Sequence, residues 1–476
     1  MPPGRRVSEQ RSGTECLPRY TLGVADCHCA ALTVRCSRLP TVPVWTRVSA
    51  SALRLTWPWL LVIGWSALQL LIARELYVQQ RGPIDFLTYE IAAEKVARGE
   101  SPYATVADDL ATWRAYHRLE DQVRNPDTPE PLVRPGPYLY PPTLALLVAQ
   151  TGIGPVGFAA VLVVSVVAFA WMWLHATAMP RVGLLLVVLS WDIFAAVSGG
   201  NVELMLLAAS MVAARLLWSA QRLLAIPFIA FVLLVKPFYG LFFATFVMML
   251  LVARPLPGGP RLGQLGAAGV LTFLLVGFEV FRWGPDLRAE ALAFMRGGIE
   301  HHWFVLPVGE QTPMSIWNRT LMQGFVNAGV SPAVAFAASL FLWCALAGMT
   351  VWRSSKQPVG FATTFALAFV LLYVVRPVGW TLNYLEFVVI GALWPVAGSR
   401  MRHVLIVGAT IVMLSHWSAL VLTAWRVNLW LFTLQTAELP WETWTLVPLC
   451  WILLVHHLLA RRIPGVKGDR WKTPAS

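Results

Sequence analysis

Several short stretches keep ionisable side chains where an apolar chain has little use for them. "RGPIDFLTYEIAAEKVARGESPY", Arg81 to Tyr103, sets a dense patch of charge headed by Asp85 directly after an apolar run of about one membrane thickness. "VLLVKPFYG" sets Lys236 between two apolar runs of 13 and 15 residues, Leu223 to Val235 and Phe238 to Val252. At about 1.5 Å rise these reach roughly 20 to 22 Å, short of the roughly 30 Å of hydrocarbon in a bilayer. "VVRPVGWTLNYLEF" carries Arg376, Asn383, Tyr384 and Glu386, and "WDIFAAVSGGNVELM" carries Asp192, Ser198, Asn201 and Glu203. Ionisable groups within membrane segments are costly and usually line a polar cavity. The expectation is a water-filled vestibule around Lys236, walled by short helices, whose cation attracts an anionic, lipid-borne group such as a phosphate. The plainer alternative is a lysine that snorkels to the interface beside a helix-ending Pro237.

The elements that must position these groups follow from composition. Of 476 residues 57% are hydrophobic and only 13% charged, more apolar surface than a soluble domain can cover. The chain is predicted to be an all-α polytopic membrane protein. Helix-length apolar runs fall near 55–73, 154–177, 182–198, 201–218, 222–235, 238–253, 264–282, 332–352, 359–375, 379–397, 403–425 and 443–460, about twelve transmembrane helices. "YPPTLALLVAQTGIGP" from Tyr140 is too short to span and reads as an interfacial or re-entrant helix opened by Pro141 and Pro142.

A net charge of +12 suits nucleic acid in a soluble protein, but here basic residues hold cytoplasmic ends in place. Met1 to Arg54 carries eight Arg against Glu9, Glu15 and Asp26, and the tail after Ala460 is also basic. Both termini therefore read as cytoplasmic, at a plasma membrane. Three parts follow: a polar Arg- and Cys-containing tail at 1–53, a membrane domain at 54–460 and a basic tail at 461–476. No cleavable signal peptide is visible, so the first span acts as its own anchor. Parity puts two long loops, 74–153 and 283–331, on the outside. Arg74 to Tyr140 holds eleven acidic and eight basic residues, as expected where positive charge is scarce. Both loops are aromatic and apolar enough to be structured; in the first, Phe86, Tyr89, Ile91, Ala92 and Val96 recur at helical spacing before Gly99.

Other residues point to less. Cys16, Cys27, Cys29 and Cys36 with His28 match no common zinc spacing, and Cys344 and Cys450 read as packing residues. His301 and His302 are adjacent and so diverge on a helix, which argues against a shared ion; no metal or other cofactor is expected. Asn318 begins a glycosylation consensus.

In order and spacing, "DFLTYEIAAEKVARGESPY", "YLYPP", "GGNVELM", "VKP", a polar second outer loop and "NY" at the head of a late span resemble the polyprenyl-phosphate-mannose-dependent mannosyltransferases of glycosyltransferase family 87, in the glycosyltransferase-C superfamily. The resemblance covers about residues 55 to 460. It implies an enzyme that moves a hexose, mannose in the family, from a polyprenyl monophosphate donor to a lipid or glycan acceptor at the outer face, with inversion. It implies Asp85 as catalytic base, with Asp192 and Glu90 as rivals. One carboxylate within reach of the acceptor hydroxyl, and cations facing a phosphate that is already a good leaving group, suffice for that chemistry. Lys236 and Arg376 are then the donor-phosphate ligands. Tyr89, Tyr140, Asn201, Glu203, Asn383 and Tyr384 are candidate sugar or acceptor ligands, and Tyr138 and Trp380 offer further ring faces. For Asp85 the plainer role is a helix N-terminal residue, and for the aromatics an interfacial belt. The partners expected are the polyprenyl-phosphate sugar, the acceptor and membrane lipid, with no nucleic acid. A polytopic transporter or lipid flippase with an outward-facing anionic site is the alternative; a scaffold leaves the clustered polar groups without a role.

Overall fold

A helix satisfies its own backbone N–H and C=O groups, which hydrocarbon demands, and about 85% of the described residues are helical with no strand among them. The computed structural model of the chain describes residues 44–78, 84–103, 138–219, 221–252, 262–300, 321–356, 359–375, 385–395 and a few positions between 398 and 407. In chain order the helices are α1 (Val44–Val78), α2 (Ile84–Ala97), α3 (Pro142–Thr151), α4 (Pro155–Thr177), a 3₁₀ turn (Arg181–Gly183), α5 (Leu184–Leu189), α6 (Trp191–Gly199) and α7 (Glu203–Trp218). A second 3₁₀ turn (Arg222–Ala225) precedes α8 (Ile226–Val235), α9 (Tyr239–Val252), α10 (Leu262–Arg282), α11 (Pro285–Glu300), α12 (Leu321–Asn327), α13 (Pro332–Lys356), α14 (Phe361–Val375) and α15 (Leu385–Leu393). The side chains that make the site belong to the second of the two units into which the chain divides, Met1–Arg54 and Leu55–Ser476.

Helices α4, α10 and α13 are long and apolar enough to cross a membrane, and they coincide closely with the spans expected at 154–177, 264–282 and 332–352. On α10, Phe273 is 77% and Phe281 71% exposed, a surface suited to lipid and not to water. Cys344, expected to pack inside, is instead exposed on α13.

The span expected at 182–198 is not one helix. Ser190 leaves helical geometry (ψ 117°) and its hydroxyl accepts a hydrogen bond from the Ile193 N–H at 3.4 Å, so that α5 ends and α6 starts afresh. One serine barely changes the apolarity of a window, whereas a capping serine restarts a helix. The interfacial segment after Tyr140 is α3, ten residues ended by Gly152 in the left-handed region (φ 58°). The expected spans at 403–425 and 443–460 lie outside the described residues.

Helix α14 is the centre. All fifteen of its residues are buried, as befits a helix apolar on every face, and α4, α7, α9, α13 and α15 pack around it. Phe361 lies against Trp218 and Phe246, and Phe365 against Phe242 and Trp173. These pairs run α14 antiparallel to α7 and α9, so Val375 points to the end of the bundle where Glu203 and Tyr239 begin their helices. Between α4 and α15, the buried Trp173 indole N–H donates to the Phe387 carbonyl at 3.1 Å, and Gly391 is what admits the ring. A Cβ there would stand 2.2 Å from Trp173 Nε1. Gly391→Ala is therefore expected to destabilise by about 1–3 kcal/mol through overpacking, read as a lower thermal midpoint in detergent. Gly348→Ala, where nothing lies within 4 Å of the added Cβ, should leave that midpoint unchanged or raise it.

Candidate functional site

The site is built around the turn between α6 and α7. Gly200 ends α6 in the left-handed region (φ 74°), a conformation that glycine adopts without a Cβ penalty. Beyond it the Asn201 side-chain oxygen accepts the Glu203 backbone N–H at 2.9 Å. That bond fixes the amide, so its NH2 group is the end that donates to the Asp85 carboxylate. Glu203 opens α7 with only 3% exposure. One carboxylate oxygen accepts from Lys236 Nζ at 2.5 Å and the other from the Tyr239 hydroxyl at 2.6 Å. Lys236 is free to turn inward because α8 stops there, with φ −147° and ψ 87° and Pro237 next to prevent its continuation.

Asp85 arrives from the other direction, in the first turn of α2. Phe86 and Tyr89, both fully buried, key α2 into the bundle: Phe86 packs on Phe158 at 5.0 Å, and Tyr89 meets Phe158 at 5.8 Å and Tyr140 edge-on at 5.2 Å. The Tyr89 hydroxyl donates to the Tyr140 hydroxyl at 3.3 Å and accepts from the Val202 backbone. Lys236 Nζ lies 5.7 Å from the Tyr140 ring centre, within cation–π range. Tyr138 holds the start of α3, donating to the Pro141 carbonyl at 2.6 Å and accepting from the Ala145 N–H at 3.0 Å. Tyr103 donates to the Tyr140 carbonyl at 2.7 Å and stacks on Phe294 of α11 at 4.6 Å, so the two long loops meet beside the site.

Among the described residues the charges of this cluster act on one another. Asp85 retains a little exposed surface but is enclosed by protein, and this burial raises its pKa from 3.8 to about 6; the Lys236 charge and the Asn201 hydrogen bond pull the other way and only partly offset it. Among the described residues Glu203 supplies a second carboxylate beside the Lys236 ammonium. Burial raises the pKa of Tyr89, Tyr103 and Tyr138 as well, which leaves them neutral phenols able to donate hydrogen bonds.

Of the residues singled out by sequence, Asp85, Tyr89, Tyr140, Asn201, Glu203 and Lys236 come together. Arg376, Trp380, Asn383 and Tyr384 lie outside the described residues, as do the side chain of Asp192, both His301 and His302, and Asn318; Val375, the residue before Arg376, ends α14 at the same end of the bundle as the cluster. Glu90 is partly buried, and after burial the charge that most perturbs it is Glu94. Tyr239 and the Tyr103–Phe294 contact escaped the sequence reading. The signal for Tyr239 was its place in "VKPFYG", one turn past Lys236. Compared with protein-family models, with curated proteins and with solved structures, the chain matches none.

Proposed function

We propose that this chain is a membrane hexosyltransferase of the glycosyltransferase-C type, which takes a hexose, mannose by resemblance, from a polyprenyl monophosphate at the extracytoplasmic face and gives it to a lipid or glycan acceptor with inversion. The observation that carries the reading is the placement of Asp85: a buried carboxylate with a raised pKa, held by Asn201 and facing the Lys236 ammonium, assembled from α2, the α6–α7 turn and the end of α8. Asp85 takes the proton of the acceptor hydroxyl as its oxygen bonds to the sugar's anomeric carbon. The bond from that carbon to the phosphate oxygen breaks, and the electron pair leaves with the phosphate. Cations offset the charge gathering there. Lys236 already shares its charge with Glu203, so Arg376 is needed as a second cation. Glu203 holds Lys236 in place, while Tyr89 and Tyr140 offer hydroxyls and ring faces to the sugar.

The test is a screen of the purified full chain, reconstituted in lipid vesicles, against several radiolabelled polyprenyl-phosphate hexoses with total lipid as acceptor. Label in a new glycoside supports the transferase. Labelled donor that crosses the bilayer intact, with no new glycoside, would make the transporter reading the correct one.

A further inference from the structure

Helix α1 buries hydrogen-bond donors for which no described residue accepts. Trp65 and Gln69 stand one turn apart on one face, Trp65 7% and Gln69 0% exposed. The Ser198 hydroxyl donates to Gln69 Oε1 at 3.2 Å, yet Gln69 Nε2 and Trp65 Nε1 are buried without a partner. Exchanging the oxygen and nitrogen of the Gln69 amide leaves an unpaired oxygen in place of the unpaired nitrogen, because Ser198 meets only one end of the amide. Leu and Phe at these two positions would pack without the deficit, since a buried donor left unpaired has lost its water and gained nothing in return. Ser198 ties the pair to the candidate site. It lies in the last turn of α6, three residues before the Asn201 whose amide reaches Asp85.

We propose that Trp65, Gln69 and Ser198 form a second polar subsite, beside the turn that carries Asn201, which takes the hydroxyls of an uncharged sugar-like group. The chemistry selects that class. An indole N–H, a carboxamide and a hydroxyl together donate and accept, as neighbouring sugar hydroxyls do, whereas a phosphate calls for cations. Helix α1 runs on nine residues beyond Gln69 to Val78, about 14 Å, so the subsite is recessed below that end of the helix. Under the transferase reading, on which the ligand's identity as the acceptor rests, this is where the sugar-bearing acceptor is held.

The subsite is tested apart from transfer. Octyl mannoside is titrated into the full chain in lipid nanodiscs, with octyl phosphate as the comparison, and binding is read as thermal protection. Gln69→Leu and Trp65→Phe should each weaken octyl mannoside binding at least tenfold and leave the octyl phosphate response as in the unaltered chain. Without ligand, Gln69→Leu should melt at or above the unaltered midpoint, because an unpaired buried amide is gone. Unchanged mannoside affinity in both α1 variants, or no mannoside binding to the unaltered chain, overturns the subsite. Should Gln69→Leu fail to fold, Trp65→Phe, which keeps the ring, decides alone. Mannoside binding that depends on α1 in a chain with no transfer activity would defeat the transferase and leave the subsite standing.

Discussion

Asp85→Asn is expected to abolish sugar transfer and, at the same pH, to make the protein more stable. A positioned base contributes typically 10²- to 10⁴-fold to rate, and an amide cannot take the proton, so transfer should fall by at least about a hundredfold. The gain in stability follows from the direction of the pKa change. Asp85 has a folded pKa of about 6 against 3.8 for the free side chain, so its contribution to folding is fully present below the lower value and is lost as pH rises through the upper one. At neutral pH the buried, ionised carboxylate costs the fold up to about 3 kcal/mol, and asparagine keeps the shape without the charge. Thermal unfolding in detergent should show the variant more stable at pH 7.5 and indistinguishable near pH 4. Transfer by the unaltered chain should rise with pH through a midpoint near 6, because the base must be ionised to act. Near wild-type transfer by Asp85→Asn removes Asp85 from the role of base; an unchanged melting temperature at pH 7.5 removes the buried charge as the source of its raised pKa.

Lys236→Met should be among the most destabilising single changes in the molecule, for a reason that has nothing to do with a ligand. It removes the ammonium paired with Glu203, 3% exposed, and breaking a buried pair from one side costs about 3–5 kcal/mol. Adding Glu203→Gln removes the carboxylate of that pair and should restore most of the loss. The pair of measurements separates the structural and chemical roles of the lysine. In the double variant the fold is recovered but the ammonium is still absent, so donor use should remain impaired. Recovery of donor affinity together with stability would show that Lys236 serves only to neutralise Glu203, and that a donor phosphate finds its counter-charge elsewhere.

The ends of α4 were legible in the sequence because Gly154 and Pro155 start an unbroken apolar run, and the same holds for α10 and α13. Two helices where one span was expected, with Ser190 between them, were not, because a cap acts through one side-chain oxygen and leaves average apolarity untouched. At the site, residue types alone marked Asp85, Asn201, Glu203 and Lys236 as out of place in an apolar chain. They did not reveal that Glu203 and Lys236 answer each other across 33 positions, nor that Tyr239 completes the set. Such pairings depend on how α7, α8 and α9 pack, which no local pattern encodes. For the same reason the unpartnered face of α1 was invisible: Trp65 and Gln69 look ordinary until their surroundings are known.

The meeting of Asp85 with Lys236 also fixes an order of events during synthesis. The lysine leaves the ribosome about 150 residues after the aspartate, or about 8 to 30 s later at roughly 5 to 20 residues per second. Until its end α2 lacks the Lys236 charge to dock against, and for the first 116 or so of those residues Asn201 too is still to come. A helix whose leading carboxylate cannot yet be buried must wait in water, so α2 is translated early and seated late. Agents that slow the later helices should therefore leave Asp85 open to solvent after α1 and α2 have been made.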